Sequence, residues 1–113
     1  MALSNVSYCL WEGFLSTNDT VIDPPVVIES DPFWIPTDKA GRAIIWLTNQ
    51  DGSSSTEIEI CGMSMSEDFE KKLTTITLNP GQTQAYRIAD PYLKCKLKAT
   101  GLPVVHAMCE IGK

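Results

Sequence analysis

The sequence is short of most things that catalysis needs. It holds a single histidine, His106, and so one side chain whose ordinary titration falls between pH 5 and 8. Its four cysteines, Cys9, Cys61, Cys95 and Cys109, form no C-x-x-C pair, which removes the usual zinc and redox spacings. There is no G-x-S-x-G elbow, Walker loop or dinucleotide fingerprint. No apolar run approaches the roughly 18 residues of a membrane span. The opening MALSNVSYCLWEG has neither a basic n-region nor a sustained apolar h-region, so synthesis in a cytoplasm with reduced thiols is expected. Bases are scarce in the first part of the chain. Residues 1–70 carry twelve acids and only Lys39 and Arg42 as bases, whereas residues 71–113 carry seven bases and two acids.

What is present describes one globular domain. The 113 residues are 43% hydrophobic and 20% charged, with a net charge of −5. A chain of this length can bury about two-thirds of its unfolded surface. An acidic whole argues against nucleic acid as the main partner. The charge asymmetry has two readings. Complementary halves could steer self-association, or the halves interleave in one domain and the charges mix.

Turn signals recur at short intervals: Asp23-Pro24-Pro25, Ser30-Asp31-Pro32, Asp51-Gly52-Ser53, Asn79-Pro80-Gly81, Asp90-Pro91 and Gly101-Leu102-Pro103. Short β-prone runs lie between them. The expectation is an all-β antiparallel sandwich, jelly-roll or immunoglobulin-like, of about seven to nine short strands. Strands are predicted at 21–29, 42–49, 56–61, 73–78, 84–89, 92–100 and 104–111. Ile44-Ile45-Trp46-Leu47 is continuously apolar, as in a central strand covered on both faces, with Trp46 in the core. Asn79-Pro80-Gly81-Gln82 fits a type II turn. In 92–100, Leu93, Cys95, Leu97 and Ala99 alternate with Lys94, Lys96 and Lys98, giving one dry and one wet side. The short connection to 104–111 suggests a hairpin with Cys95 near Cys109, read as core packing with a disulfide as the lesser option. All four cysteines are read as small core residues. The one helical candidate is 66–73, SEDFEKKL, with Ser66 as N-cap.

Residues 1–20 carry Tyr8, Leu10, Trp11, Phe14 and Leu15 among small polar residues. They read as a first strand or as an arm docking on a neighbour, with 21–113 as the sandwich domain.

No catalytic, cofactor or metal site emerges. His106 and Cys109 are three apart, an odd offset that points them to opposite faces of a strand. Asn49-Gln50-Asp51-Gly52-Ser53 offers oxygens for calcium but lacks EF-hand spacing, and a hairpin turn explains it without an ion. Glu57 and Glu59 share a strand face and read as solvated. Binding is better served by aromatics. Phe33-Trp34-Ile35 lies between Pro32 and Pro36, and on extended chain its two rings face opposite ways. The candidate interaction residues are Trp11, Phe14, Phe33, Trp34, Lys94, Lys96 and Lys98.

Four segments carry a resemblance. They are Ala43-Ile44-Ile45-Trp46-Leu47-Thr48-Asn49, Ser55-Thr56-Glu57-Ile58-Glu59-Ile60-Cys61-Gly62, Thr77-Leu78-Asn79-Pro80-Gly81-Gln82-Thr83, and Pro91-Tyr92-Leu93-Lys94-Cys95-Lys96-Leu97-Lys98-Ala99-Thr100. Over residues 42–113 the pattern resembles small phage-encoded β-sandwich proteins of the head-decoration, head-fibre and tail-accessory type. The resemblance implies a non-enzymatic virion protein present in many copies. It would be oligomeric and bound to a major capsid or tail protein, with no cofactor, nucleic acid or membrane. A carbohydrate- or receptor-binding module using Trp34 or Trp11 is the alternative, and a small hydrolase that uses acidic residues the third.

Overall fold

The computed structural model describes residues 8–16, 27–35, 42–88, 94–100 and 103–111. Among these there are nine strands and no helix. They are β1 (Tyr8–Ser16), β2 (Val27–Glu29), β3 (Phe33–Trp34), β4 (Ala43–Asn49), β5 (Thr56–Met63), β6 (Glu70–Leu78), β7 (Thr83–Ile88), β8 (Lys94–Thr100) and β9 (Val104–Ile111). All pair antiparallel in two sheets. Sheet A runs β1-β9-β4-β7; sheet B runs β2-β8-β5-β6, with β2 along the end and β3 along the start of the same β8 edge.

The order has a simple origin. The chain is one long antiparallel ribbon folded over itself. Its closing turn lies between β5 and β6, and outward from there β4 pairs β7, β2 and β3 pair β8, and β1 pairs β9. Successive pairs fall in alternate sheets, which is the jelly-roll form of the expected antiparallel sandwich. Each inner face is apolar. Ile45, Leu47, Ile88, Val105, Ala107 and Cys109 of sheet A meet Ile58, Ile60, Leu78, Cys95, Leu97 and Ala99 of sheet B in one core cluster.

This wrapping corrects several local expectations. β8 and β9 are not a hairpin, because they lie in opposite sheets, so Cys95 and Cys109 project into the core from opposite layers. All four cysteines are thiols, and Cys9, expected in the core, is exposed on β1. Asp51-Gly52 likewise carries the chain between sheets rather than round a hairpin. The 66–73 segment, the helical candidate, is a turn followed by β6. Ser64 N–H donates to the Phe69 carbonyl at 3.0 Å and Ser64 Oγ accepts from Phe69 N–H at 3.2 Å. Glu67 then sits at φ 66°, which a helix cannot hold. Among the described residues this turn is the one connection between consecutive strands that pair with each other.

β4 is central, yet only one of its faces is covered. Ala43, Ile45, Leu47 and Asn49 are buried, while Trp46 points outward and is 37% exposed. The continuous apolar run therefore reflects an apolar outer face, not a second layer. The type II turn is present as expected, with Gly81 at φ +74° and Gln82 N–H donating to the Asn79 carbonyl at 3.0 Å. Of the segment 21–29 only β2 is described. The start of 92–100, with Tyr92 and Leu93, and Ala89 at the end of 84–89 lie outside the described residues.

One buried polar residue organises an end of the sandwich. Asn49 Nδ2 donates to the carbonyls of Ser54, Leu78 and Asn79 at 2.8, 3.2 and 3.3 Å. Its Oδ1 accepts from Asp51 N–H at 3.0 Å, and its backbone bonds Gln82 and Gly81. Two loops that cross between the sheets are thus tied to one side chain.

Candidate interaction surfaces

The two outer faces differ in chemistry. On sheet B, register places Glu29, Lys98, Glu59 and Thr75 in one row and Trp34, Lys94, Met63 and Glu70 in another. The three lysines of β8 stand on this face, half-buried. Lys94 Nζ lies 2.6 Å from Glu67, and Lys96 lies 2.7 Å from Glu29 and 3.1 Å from Glu70. Lys98 bonds Glu70 and lies 3.8 Å from Glu29. The Lys96 ammonium holds the Glu29 carboxyl below its ordinary pKa, as Lys98 does for Glu70. Both lysines are raised in return. These lysines are committed to their own chain, so they do not make an open basic patch.

Beneath the lysine stems lie Cys61 and Met63, on the outer side of sheet B yet buried. Burial pushes the Cys61 thiol above its ordinary pKa. Cys109, in the core, is pushed up to about 12 by the same desolvation. Neither is a reactive thiolate at neutral pH.

A groove of about 1340 Å³ crosses sheet B toward the Asp51–Ser55 loop. Its walls are Thr56, Glu57, Glu59, Thr75, Thr77 and Thr100, with Lys72 and Lys98 at one side. It has no aromatic lining. Glu57 is exposed and Glu59 half-buried, which is a solvated carboxylate pair. The oxygen-rich loop spends its carboxylate internally: Asp51 Oδ1 accepts from Ser53 N–H at 2.8 Å, Ser53 Oγ at 2.9 Å and Ser54 N–H at 3.2 Å. The Ser53 N–H holds the Asp51 pKa below its ordinary value. Among the described residues no three His, Cys, Asp or Glu side chains converge as metal ligands.

Sheet A presents a different face. Its rows read Phe14, His106, Thr48, Thr83; then Glu12, Met108, Trp46, Ala85; then Cys9, Glu110, Ile44, Arg87. Phe14 is 59% exposed and tilts against His106 at 5.0 Å. His106 Nε2 lies 2.7 Å from Glu12 Oε2, and Trp46 Nε1 donates to Glu110 Oε1 at 2.7 Å. His106 faces out while Cys109 faces in. The centre of this face is apolar and its charges sit toward the rim.

The aromatic candidates separate accordingly. Phe33 is in the core and stacks on Trp11 at 4.9 Å and 12°. The Trp11 ring lies over Gly13, where a Cβ would meet it at 2.8 Å. Trp34 is 53% exposed on the sheet B edge, and Phe14 is exposed on sheet A. The seven candidates therefore do not form one site. Sequence reasoning missed that Trp46 and Met108 share the outer face of sheet A with Phe14. The available signal was the even spacing of Ile44, Trp46 and Thr48 against Ile45, Leu47 and Asn49.

No family model matches the chain, and no curated protein matches its sequence.

Proposed function

We propose that this chain is a non-catalytic assembly protein of a bacteriophage particle, a capsid decoration or head–tail accessory protein. It docks on a capsid or tail protein through the outer face of sheet A. The observation behind this reading is the contrast between the two outer faces. On the outer face of sheet B the middle is taken up by paired lysines and glutamates, and the exposed Val27 and Trp34 lie along one edge. Sheet A instead exposes Phe14, in register with His106, and on the next row Trp46, in register with Met108 and Ala85. Large apolar groups grouped on one face mark interaction surfaces. The resemblance over residues 42–113 supplies the particle, and jelly-roll domains serve in viral capsids and lectins alike. Fold alone does not choose between them.

Mass spectrometry of purified particles tests the reading directly. The chain is expected at a fixed stoichiometry in the particle. Trp46→Ala is expected to weaken binding to particles lacking the chain by about 2 kcal/mol, as for a central aromatic anchor. A chain abundant in the lysate but missing from particles would end this proposal.

A second reading rests on Trp34, the exposed ring on β3. An edge tryptophan can stack on a sugar or anchor a receptor contact. A glycan array with the unaltered protein and Trp34→Ala separates this from assembly: binding lost with Trp34 supports it, and a blank array removes it.

A further inference from the structure

We propose that β7 pairs with β7 of a second copy of this chain, antiparallel about a two-fold axis, joining two sheets A into one. The inference stands apart from the particle reading, because such a dimer forms in buffer.

It starts from how each sheet edge is treated. Exposed edges invite unwanted pairing, and folded proteins blunt them with bulges, lysines, proline or breaks. Among the described residues the sandwich has four edges. β1 carries a bulge between Cys9 and Trp11. The β2–β3 edge is broken at 30–32, where Pro32 lies and Ser30 turns its Oγ back to accept from Leu97 N–H at 2.9 Å. β6 carries Lys71 and Lys72, and its register shifts opposite Ile60 and Cys61. The Thr77 carbonyl of β6 is also occupied, accepting from Gln84 Nε2 at 3.1 Å. β7 has none of these devices beyond the single charge of Arg87. It pairs β4 without a register shift from Thr83 to Ile88 and contains no proline, lysine or glycine. Alternate residues of such a strand turn N–H and C=O away from their one neighbour.

The charge on β7 suits its own copy. Residues directly opposite in an antiparallel pair share a face, so only two registers overlap the six residues well. Centred on Ala85, Arg87 opposes Thr83 of the partner. Centred on Tyr86, Arg87 opposes Ala85. Neither sets like charges against each other. Two-fold pairing also consumes the edge and closes, rather than growing a fibre. The row Glu12, Met108, Trp46, Ala85 would then run to the junction and continue into the second copy, doubling the apolar face.

Sedimentation of the full chain tests this. The unaltered protein is expected to show a reversible dimer. Ala85 is exposed on the outer face, so Ala85→Lys leaves the core intact. It places lysine against lysine in one register and against Arg87 in the other, and is expected to weaken the dimer about tenfold. Ala85→Asp reads the register: it tightens the dimer if the axis passes Tyr86 and loosens it if the axis passes Ala85. Thr75→Lys, on the blunted β6, is expected to change nothing, and melting curves check that each variant is folded. A protein that stays monomeric at millimolar concentration overturns the proposal and leaves the edge to a foreign strand. So does a dimer indifferent to both Ala85 substitutions, or one that Thr75→Lys weakens equally.

Discussion

Replacing Asn49 with alanine removes four hydrogen bonds at the end of the sandwich. The Leu78 carbonyl is the buried one of the three acceptors it serves, while those of Ser54 and Asn79 lie nearer the surface. Stranding one buried acceptor costs about 1–3 kcal/mol, and water can take up the other two. The loop tie through Asp51 N–H adds about 1 kcal/mol. A loss of about 3 kcal/mol is expected. At roughly 4–5 °C per kcal/mol for a domain of this size, the midpoint falls by about 12–15 °C in a thermal melt followed by circular dichroism. Asn49→Asp sharpens the test. It keeps the shape but turns a lone-pair oxygen on three carbonyls in place of the donor. Its carboxyl would have a pKa raised in the folded state by that repulsion and by burial. The added penalty is therefore full above the folded pKa and fades as pH falls toward the unfolded value. Both variants share the unaltered protein's other carboxylates, so the difference from wild type is the quantity to follow. Asn49→Ala should hold a constant deficit between pH 4 and 7, whereas Asn49→Asp should narrow its own toward acid. A midpoint within about 3 °C of wild type for Asn49→Ala would refute the idea that this side chain ties the loops.

Thiol labelling should find Cys9 at once and Cys61, Cys95 and Cys109 only after denaturant, since just the first is exposed; prompt labelling of two or more would contradict the burial. Glu70→Gln should cost less than about 1 kcal/mol, because the bridges to Lys96 and Lys98 are partly exposed, and 1 M salt should erase the difference. The carboxyls of Glu29 and Glu70 are held below their ordinary pKa, so their contribution is present above the unfolded value near 4.5 and drains away as pH falls through the folded one; acid titration of stability in wild type and Glu70→Gln should show the two curves converging. Gly81→Ala should lose about 1–2 kcal/mol by urea titration, since φ +74° is costly for a side chain although nothing crowds the site.

The strands were legible where alternation was strict. Lys94, Lys96 and Lys98 set one face of β8 and Cys95, Leu97 and Ala99 the other, and the structure keeps that division. The type II turn was legible because proline and glycine have fixed backbone preferences. Sheet membership was not. A short connection such as 101–103 looks alike whether it turns within a sheet or crosses between two, and local chemistry cannot tell them apart. The helix expected at 66–73 failed because Ser66, Glu67 and Asp68 favour a helix start only if the backbone has no better partner. Ser64 and the whole length of β5 supply one. Trp46 was misplaced for a related reason. An apolar run cannot show whether its second face meets another layer or the solvent. Asn49 was read as the end of a strand and the start of an oxygen-rich loop, since nothing local reveals three converging carbonyls.

The ribbon also accounts for the uneven charge. The outgoing half of the chain carries most of the acids and the returning half most of the bases. Folding the ribbon lays one half beside the other along its length, so segregation in sequence becomes mixing in space. Glu29 and Glu67 from the outgoing half, with Glu70 at the start of the return, meet Lys94, Lys96 and Lys98 across sheet B. The asymmetry is thus spent inside one molecule, and it no longer favours association through oppositely charged halves. It favours register instead. Sliding β8 by one residue against β2 would turn its lysines into the core. Charge aside, the described residues leave open to a partner the apolar outer face of sheet A, the edge of β7 and the exposed Trp34 on β3. The first two adjoin at Ala85, so a contact at either one bears on the other.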